Sequence, residues 1–177
     1  MNKYLVLFLI ILTTYNCESD DICPESTLTT PRLIVTFYDE ENPEERKNIE
    51  SLGVYIVKNN ELMLISEING INTDSIAIPL RDDESVSNFK FCKDFSEDVT
   101  VIPSGLPNHV YFDYEINETF ISRACGFTNN YNLSIALPYD PLDTPGPTNW
   151  ISELIILNNS VTLSLIHISE PTRRTTI

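Results

Sequence analysis

Cations, histidines and glycines are all scarce in this chain, and each scarcity removes a class of function. Eleven lysines and arginines stand against 26 acids, for a formal net charge of −15 at pH 7. So negative a chain repels phosphate backbones and gains no attraction to anionic lipid, which argues against nucleic acid and leaves a covalent anchor as the route to a membrane. Of the two histidines, His167 lies in an anomalous C-terminal string, so a Ser-His-Asp or Cys-His set has only His109 as its base. A single histidine at the start of a strand reads as a surface or hydrogen-bonded residue. With five glycines the chain carries no G-x-G-x-x-G, no P-loop and no Gly-rich fibre or linker, and H-E-x-x-H is missing too. No cofactor is implied. The one uninterrupted apolar run, Tyr4 to Leu12, is about half of what spans a bilayer.

That run follows Asn2 and Lys3 and gives way at once to polar residues, which is the pattern of a secretory signal over residues 1–16. Leu12-Thr13-Thr14-Tyr15-Asn16-Cys17 resembles a permissive bacterial lipobox, with Asn16 where a small residue is usual and Thr14 where Leu or Val is usual. Cys17 is therefore expected to be acylated as the first mature residue, with the lipid bilayer as its partner. Glu18, Ser19, Asp20 and Asp21 resemble the acidic signal that sends such lipoproteins to the outer cell surface, and residues 17–30 read as an acidic linker. Export places Cys23, Cys92 and Cys125 where disulfides form, and their odd number leaves one unpaired. Cys23 with Cys125 is the favoured pairing, because Cys23 lies just before the first strand and a bond there pins the linker to the domain. Cys92 with Cys125 competes. No C-x-x-C exists, which argues against zinc and thioredoxin-type redox chemistry.

At the other end, Leu163 to Arg173 resembles, residue for residue, the conceptual translation of a sequencing-library adapter. The natural sequence is expected to run only to about Thr162 here, with residues 163–177 standing in for its true C-terminus.

Between these ends the hydrophobic period is two, as strands require. Leu33, Val35 and Phe37 alternate in Arg32–Asp39; Leu52–Lys58 and Leu62–Ile68 flank the polar turn Asn59-Asn60-Glu61. Ser75–Leu80 points Ile76, Ile78 and Leu80 inward, and Pro79 marks it as an edge. Val86–Cys92 offers Phe89 and Phe91, and Val99–Ile102 is a short candidate. His109–Asn117 alternates Val110, Phe112, Tyr114 and Ile116 inward, and a turn near Asn117 and Glu118 into Thr119–Cys125 is expected. Tyr131–Leu137 and Trp150–Leu157 add two strands around the proline-rich loop Pro138–Pro147. One helix of two or three turns is expected from Asn42-Pro43-Glu44-Glu45, with Gly53 as its stop. The expected fold is all-β: a single β-sandwich over residues 31–162, immunoglobulin-like or transthyretin-like, with about 8–10 short antiparallel strands.

Candidate chemistry is thin. Asp39-Glu40-Glu41-Asn42 and Asp82-Asp83-Glu84 lack EF-hand spacing and read as solvated loop charge, so no metal site is expected. Asn117, Asn132 and Asn158 head formal N-glycosylation sequons that read as chance in a bacterial chain. Asp74-Ser75-Ile76 resembles an O-glycosylation motif of exported Bacteroidota proteins, which marks Ser75 as a modification site.

Asp21-Ile22-Cys23-Pro24, Thr30 to Asp39 and Phe120-Ile121-Ser122-Arg123-Ala124-Cys125-Gly126-Phe127, in that order, resemble an uncharacterised lipoprotein family of Bacteroidota. The resemblance covers essentially the whole mature chain and transfers no catalytic residue. It implies location and fold, matches Cys23 and Cys125 to the family's cysteines, and implies a last strand continuing beyond Val161. The expectation is a non-enzymatic outer-membrane lipoprotein, surface-exposed or facing the periplasm. Its sandwich would serve as a binding or assembly module, docking an outer-membrane protein through a sheet edge. The alternative is a glycan-binding or carbohydrate-active protein with paired carboxylates and exposed Tyr111, Tyr139 or Trp150.

Overall fold

The computed structural model describes Cys23 and residues 30–96, 103–142 and 149–162. Its nine strands are β1 (Arg32–Thr36), β2 (Ile49–Lys58), β3 (Glu61–Leu64), β4 (Ile71–Thr73), β5 (Ser75–Pro79), β6 (Val86–Lys93), β7 (Leu106–Ser122), β8 (Gly126–Leu137) and β9 (Ser160–Val161). They form an antiparallel two-stranded ribbon, β1-β5, and a seven-stranded sheet ordered β3-β2-β6-β7-β8-β9, with β4 beside β2. The architecture is all-β.

Alternation explains the layering. Leu52 and Val54 of β2, Phe89 and Phe91 of β6, Val110, Phe112 and Tyr114 of β7, and Tyr131 and Leu133 of β8 join one buried cluster with Leu33, Val35 and Phe37 from the β1 side and Ile76, Ile78 and Leu80 from the β5 side. Each such side chain contributes roughly 1.5–3 kcal/mol when fully removed from water. Phe89 meets Phe91 and Phe112 edge to face, at 6.2 and 6.1 Å between centroids, the offset geometry that aromatic quadrupoles favour. Pro79 closes β5, which pairs with β1 alone, so its missing amide costs no ladder bond. Asn59 and Asn60 both take positive φ, 51° and 64°, the two-residue turn whose twist suits the β2–β3 hairpin.

Five expectations fail. Residues 42–45 form a turn and not a helix: Glu45 N–H donates to Asn42 O (2.8 Å), Asp39 N–H donates to Glu45 O (3.0 Å), and Tyr38 bridges Arg46. These local backbone bonds and the short bridge prevail over a cap signal with no apolar face behind it. Gly53, expected as a helix stop, lies inside β2, where a Cβ would sit 2.3 Å from Phe95 Cδ2; the ring occupies the space of a side chain. The strand expected to run to Ile68 ends at Leu64. Ile68 is still buried, accepting from Val54 N–H at 3.1 Å.

The largest difference concerns the hairpin. Asn117 and Glu118 are not a turn: β7 runs on to Ser122 and pairs with β8 from Tyr111↔Leu137 to Ser122↔Gly126. The chain reverses at Arg123-Ala124-Cys125, and Gly126 takes φ 71°, a left-handed backbone that glycine accepts at no steric cost. Trp150–Leu157 forms no ladder. It still covers the core, with Trp150, Ile151, Leu154 and Ile156 packed against the main cluster, held at its start by Asn108 Oδ1 (from Ile151 N–H, 3.0 Å) and Leu106 O (from Trp150 Nε1, 3.1 Å). The signal, Cys17, the candidate Val99–Ile102, much of the proline-rich loop and residues 163–177 lie outside the described residues.

Candidate functional site

The end of the β7–β8 hairpin gathers the features that the core does not use. Past Tyr114 the second layer gives out, and Glu115, Asn117, Glu118, Thr119 and Phe120 are all exposed. Phe120 and Phe127 face each other across the ladder, 55% and 63% exposed, with ring centroids 5.4 Å apart in an edge-to-face pair. Two aromatic side chains left in water where the covering layer has ended form a small apolar patch. Behind them, Cys125 joins Cys23 in a disulfide, Cα–Cα 4.8 Å across a sequence separation of 102. Cys92 is a free, buried thiol; burial pushes it up to about 11, which keeps it protonated and inert near neutrality. The competing Cys92–Cys125 bond is therefore not formed.

Beneath the patch lies a shallow cavity of about 200 Å³ lined by Thr30, Asp82, Glu118, Phe127, Thr128, Asn129 and Tyr131. Its floor is the Tyr131 ring, 2% exposed, whose hydroxyl has no hydrogen-bond partner among the described residues. Burial, then the nearby Asp82 carboxylate, raises the Tyr131 pKa. Two carboxylates line this hollow, yet it is smaller than the roughly 300–1,000 Å³ of ordinary ligand pockets.

Elsewhere, the residues singled out by the sequence are dispersed. His109 Nε2 lies 3.9 Å from Asp140 Oδ2 at the opposite end of β7, beside Tyr111, whose pKa rises through burial and the Asp113 and Asp140 charges. Tyr111 and Tyr139 are half-buried, and Trp150 turns inward, 6.1 Å from the Phe37 ring. None of these aromatic rings is the open stacking platform a glycan binder needs. Ser75 begins β5 across from Thr36; its N–H donates to Thr73 Oγ1 (3.1 Å), and Thr73 Oγ1 donates to Ser75 O (2.6 Å). Asp39 pairs with Lys47 at 2.6 Å, Asp83 with Arg81 and Lys58 at 2.9 and 3.1 Å, and Glu84 with Arg81 at 2.9 Å, so each acidic run has at least one carboxylate paired with a cation. Among the described residues no group of three or more His, Cys, Asp or Glu is arranged to hold a metal.

Sequence reasoning missed the aromatic pair and the cavity. The signal for the pair was in plain view: from Thr119 to Tyr139 the chain has no acid, and Arg123 is its one charged residue, in a protein with 26 acids.

No curated protein and no solved structure matches the chain. Residues 51–166 match a family of unknown function, DUF6452, a span that takes in most of β2, all of β3 through β9 and so the whole β7–β8 hairpin. The chain belongs to that family.

Proposed function

We propose that this protein is an outer-membrane lipoprotein, acylated at Cys17, whose sandwich is a non-catalytic binding or assembly module for another envelope protein. The observation that carries the reading is the Cys23–Cys125 disulfide. Such a bond persists in an oxidising compartment beyond the inner membrane, in keeping with the leader and the lipobox-like string ending at Cys17. The β1-β5 ribbon supports the docking role. Among the described residues its strands pair only with each other, and β1 carries Ile34 61% exposed, so its outer edge offers backbone groups and an apolar side chain to an incoming strand. Ser75, at the start of the same ribbon, is the site proposed for O-glycosylation.

Growth with radiolabelled palmitate tests the anchor. Label is expected in the intact chain and lost in Cys17→Ala; an unlabelled wild-type chain refutes the reading. Site-specific crosslinking from Ile34, with the protein in its native membrane, tests the docking role. One discrete adduct is expected, and none counts against it.

A further inference from the structure

We infer that the tip of the β7–β8 hairpin, through Phe120 and Phe127, rests in the interfacial layer of the bilayer that anchors the protein, fixing which end of the domain faces the membrane. This rests on acylation of Cys17. The disulfide holds Cys23 against Cys125 at the hairpin turn, and the chain from Cys17 to Cys23 reaches at most about 22 Å even when fully extended. β7 has 17 residues and is therefore about 55 Å long. A lipid on Cys17 thus confines the turn to the membrane's neighbourhood, while no such tether holds the far end of the sheet, where Leu106 and the Pro138–Leu142 loop lie.

The turn is built for that position. Phe120 and Phe127 are mutually packed and exposed, which costs free energy in water and none at a headgroup boundary, where amphipathic and aromatic side chains settle. The acid-free stretch Thr119–Tyr139 with Arg123 at its turn lessens the repulsion that the rest of this chain would feel from lipid phosphates. The hairpin acid nearest the tip is Glu118, exposed on β7 behind Phe120, and Glu18, Asp20 and Asp21 belong to the tether. An envelope protein seated on the same patch is the competing occupant. It is disfavoured because the tether already delivers the patch to lipid.

Trp150 is the chain's one tryptophan and is packed against the core, so an added indole reports its own surroundings over a constant background. The test uses full-length acylated protein in phosphatidylcholine vesicles with brominated acyl chains, comparing Phe127→Trp and Phe120→Trp with Leu142→Trp, whose site is 96% exposed. Quenching at the two hairpin positions is expected to exceed that at Leu142→Trp by about twofold or more. Equal quenching, or more at Leu142→Trp, overturns the inference. Mass spectrometry of the same sample separates the two failures. An unacylated Cys17 overturns both this and the lipoprotein reading, whereas an acylated chain with flat quenching overturns this one alone.

Discussion

Opening the Cys23–Cys125 bond should cost stability mainly through the unfolded chain. The bond closes a loop with a sequence separation of 102, for which loop-closure entropy predicts about 4.7 kcal/mol at 25 °C. Little is lost on the folded side. Cys125 sits half-buried at the turn, and its N–H donates to Ser122 Oγ at 3.0 Å, a bond that does not involve the sulfur. Against a typical domain stability of about 5–15 kcal/mol that is a third or more of the total. At about 2–4 °C per kcal/mol for a chain of this size it corresponds to a fall in Tm of about 10–20 °C. The assay is urea unfolding of the oxidised protein beside the Cys23→Ser/Cys125→Ser double variant. The variant should show a lower midpoint and a steeper slope, because the uncrosslinked chain exposes more surface when it unfolds. A stability difference below about 1 kcal/mol would refute the reasoning and mean that the denatured chain already keeps its ends together.

Tyr114 donates to Arg81 O at 2.9 Å and lies 2.7 Å from Ser87 Oγ, which accepts from Arg81 N–H at 2.9 Å; Tyr114→Phe breaks this buried triangle and should cost about 1–3 kcal/mol in urea unfolding. Gly53→Ala places a Cβ 2.3 Å from the Phe95 ring and should cost about 1–3 kcal/mol, whereas the same substitution made in a Phe95→Ala background should cost little, a coupling read from a double-mutant cycle. Burial raises Cys92 from 9.0 to about 11 and Tyr114 from 10.0 to about 12, so the folded state holds these protons more tightly than the unfolded one. Their contribution is complete below pH 9 and is lost as pH climbs through 11 and 12; a pH series of thermal melts should show that decline, and Cys92→Ala should flatten its lower half.

Most of the strands were legible because burial and period are the same signal. In β5, Ile76 and Ile78 are buried and Ala77 is not, as the alternation states, and Pro79 marks an edge because it has no amide to share. Where burial and backbone pairing part company, the pattern misleads. Trp150–Leu157 carries the apolar residues of a covering strand and does cover the core, but side-chain and carbonyl anchors from Asn108 and Leu106 stand in for a ladder. Asn42-Pro43-Glu44-Glu45 carries a helix start, yet fixing a first turn is costly without an apolar stripe to dock it, and the Phe37–Lys47 backbone bond (2.9 Å) draws the segment into a tight reversal.

The hairpin tip was hidden for a different reason. Phe120 follows Ile116 and Phe112 along β7 in a repeat of polar and apolar residues that says which positions share a side, but not whether anything covers that side. Coverage depends on how far β1, β5 and residues 150–157 extend, and the buried cluster ends on β7 at Tyr114, with Ile116 partly buried, and on β8 at Tyr131. Beyond that line the same repeat that makes a core makes an apolar surface. Two facts bear on what that surface does: the absence of acids from Thr119 to Tyr139, which is legible in the hairpin's own sequence, and a cysteine pair that ties the turn to Cys23. The second joins positions 102 apart in sequence, so it does not lie in the local pattern of the hairpin, and the outward aromatics are understood only when that covalent link is traced back toward the N-terminal segment.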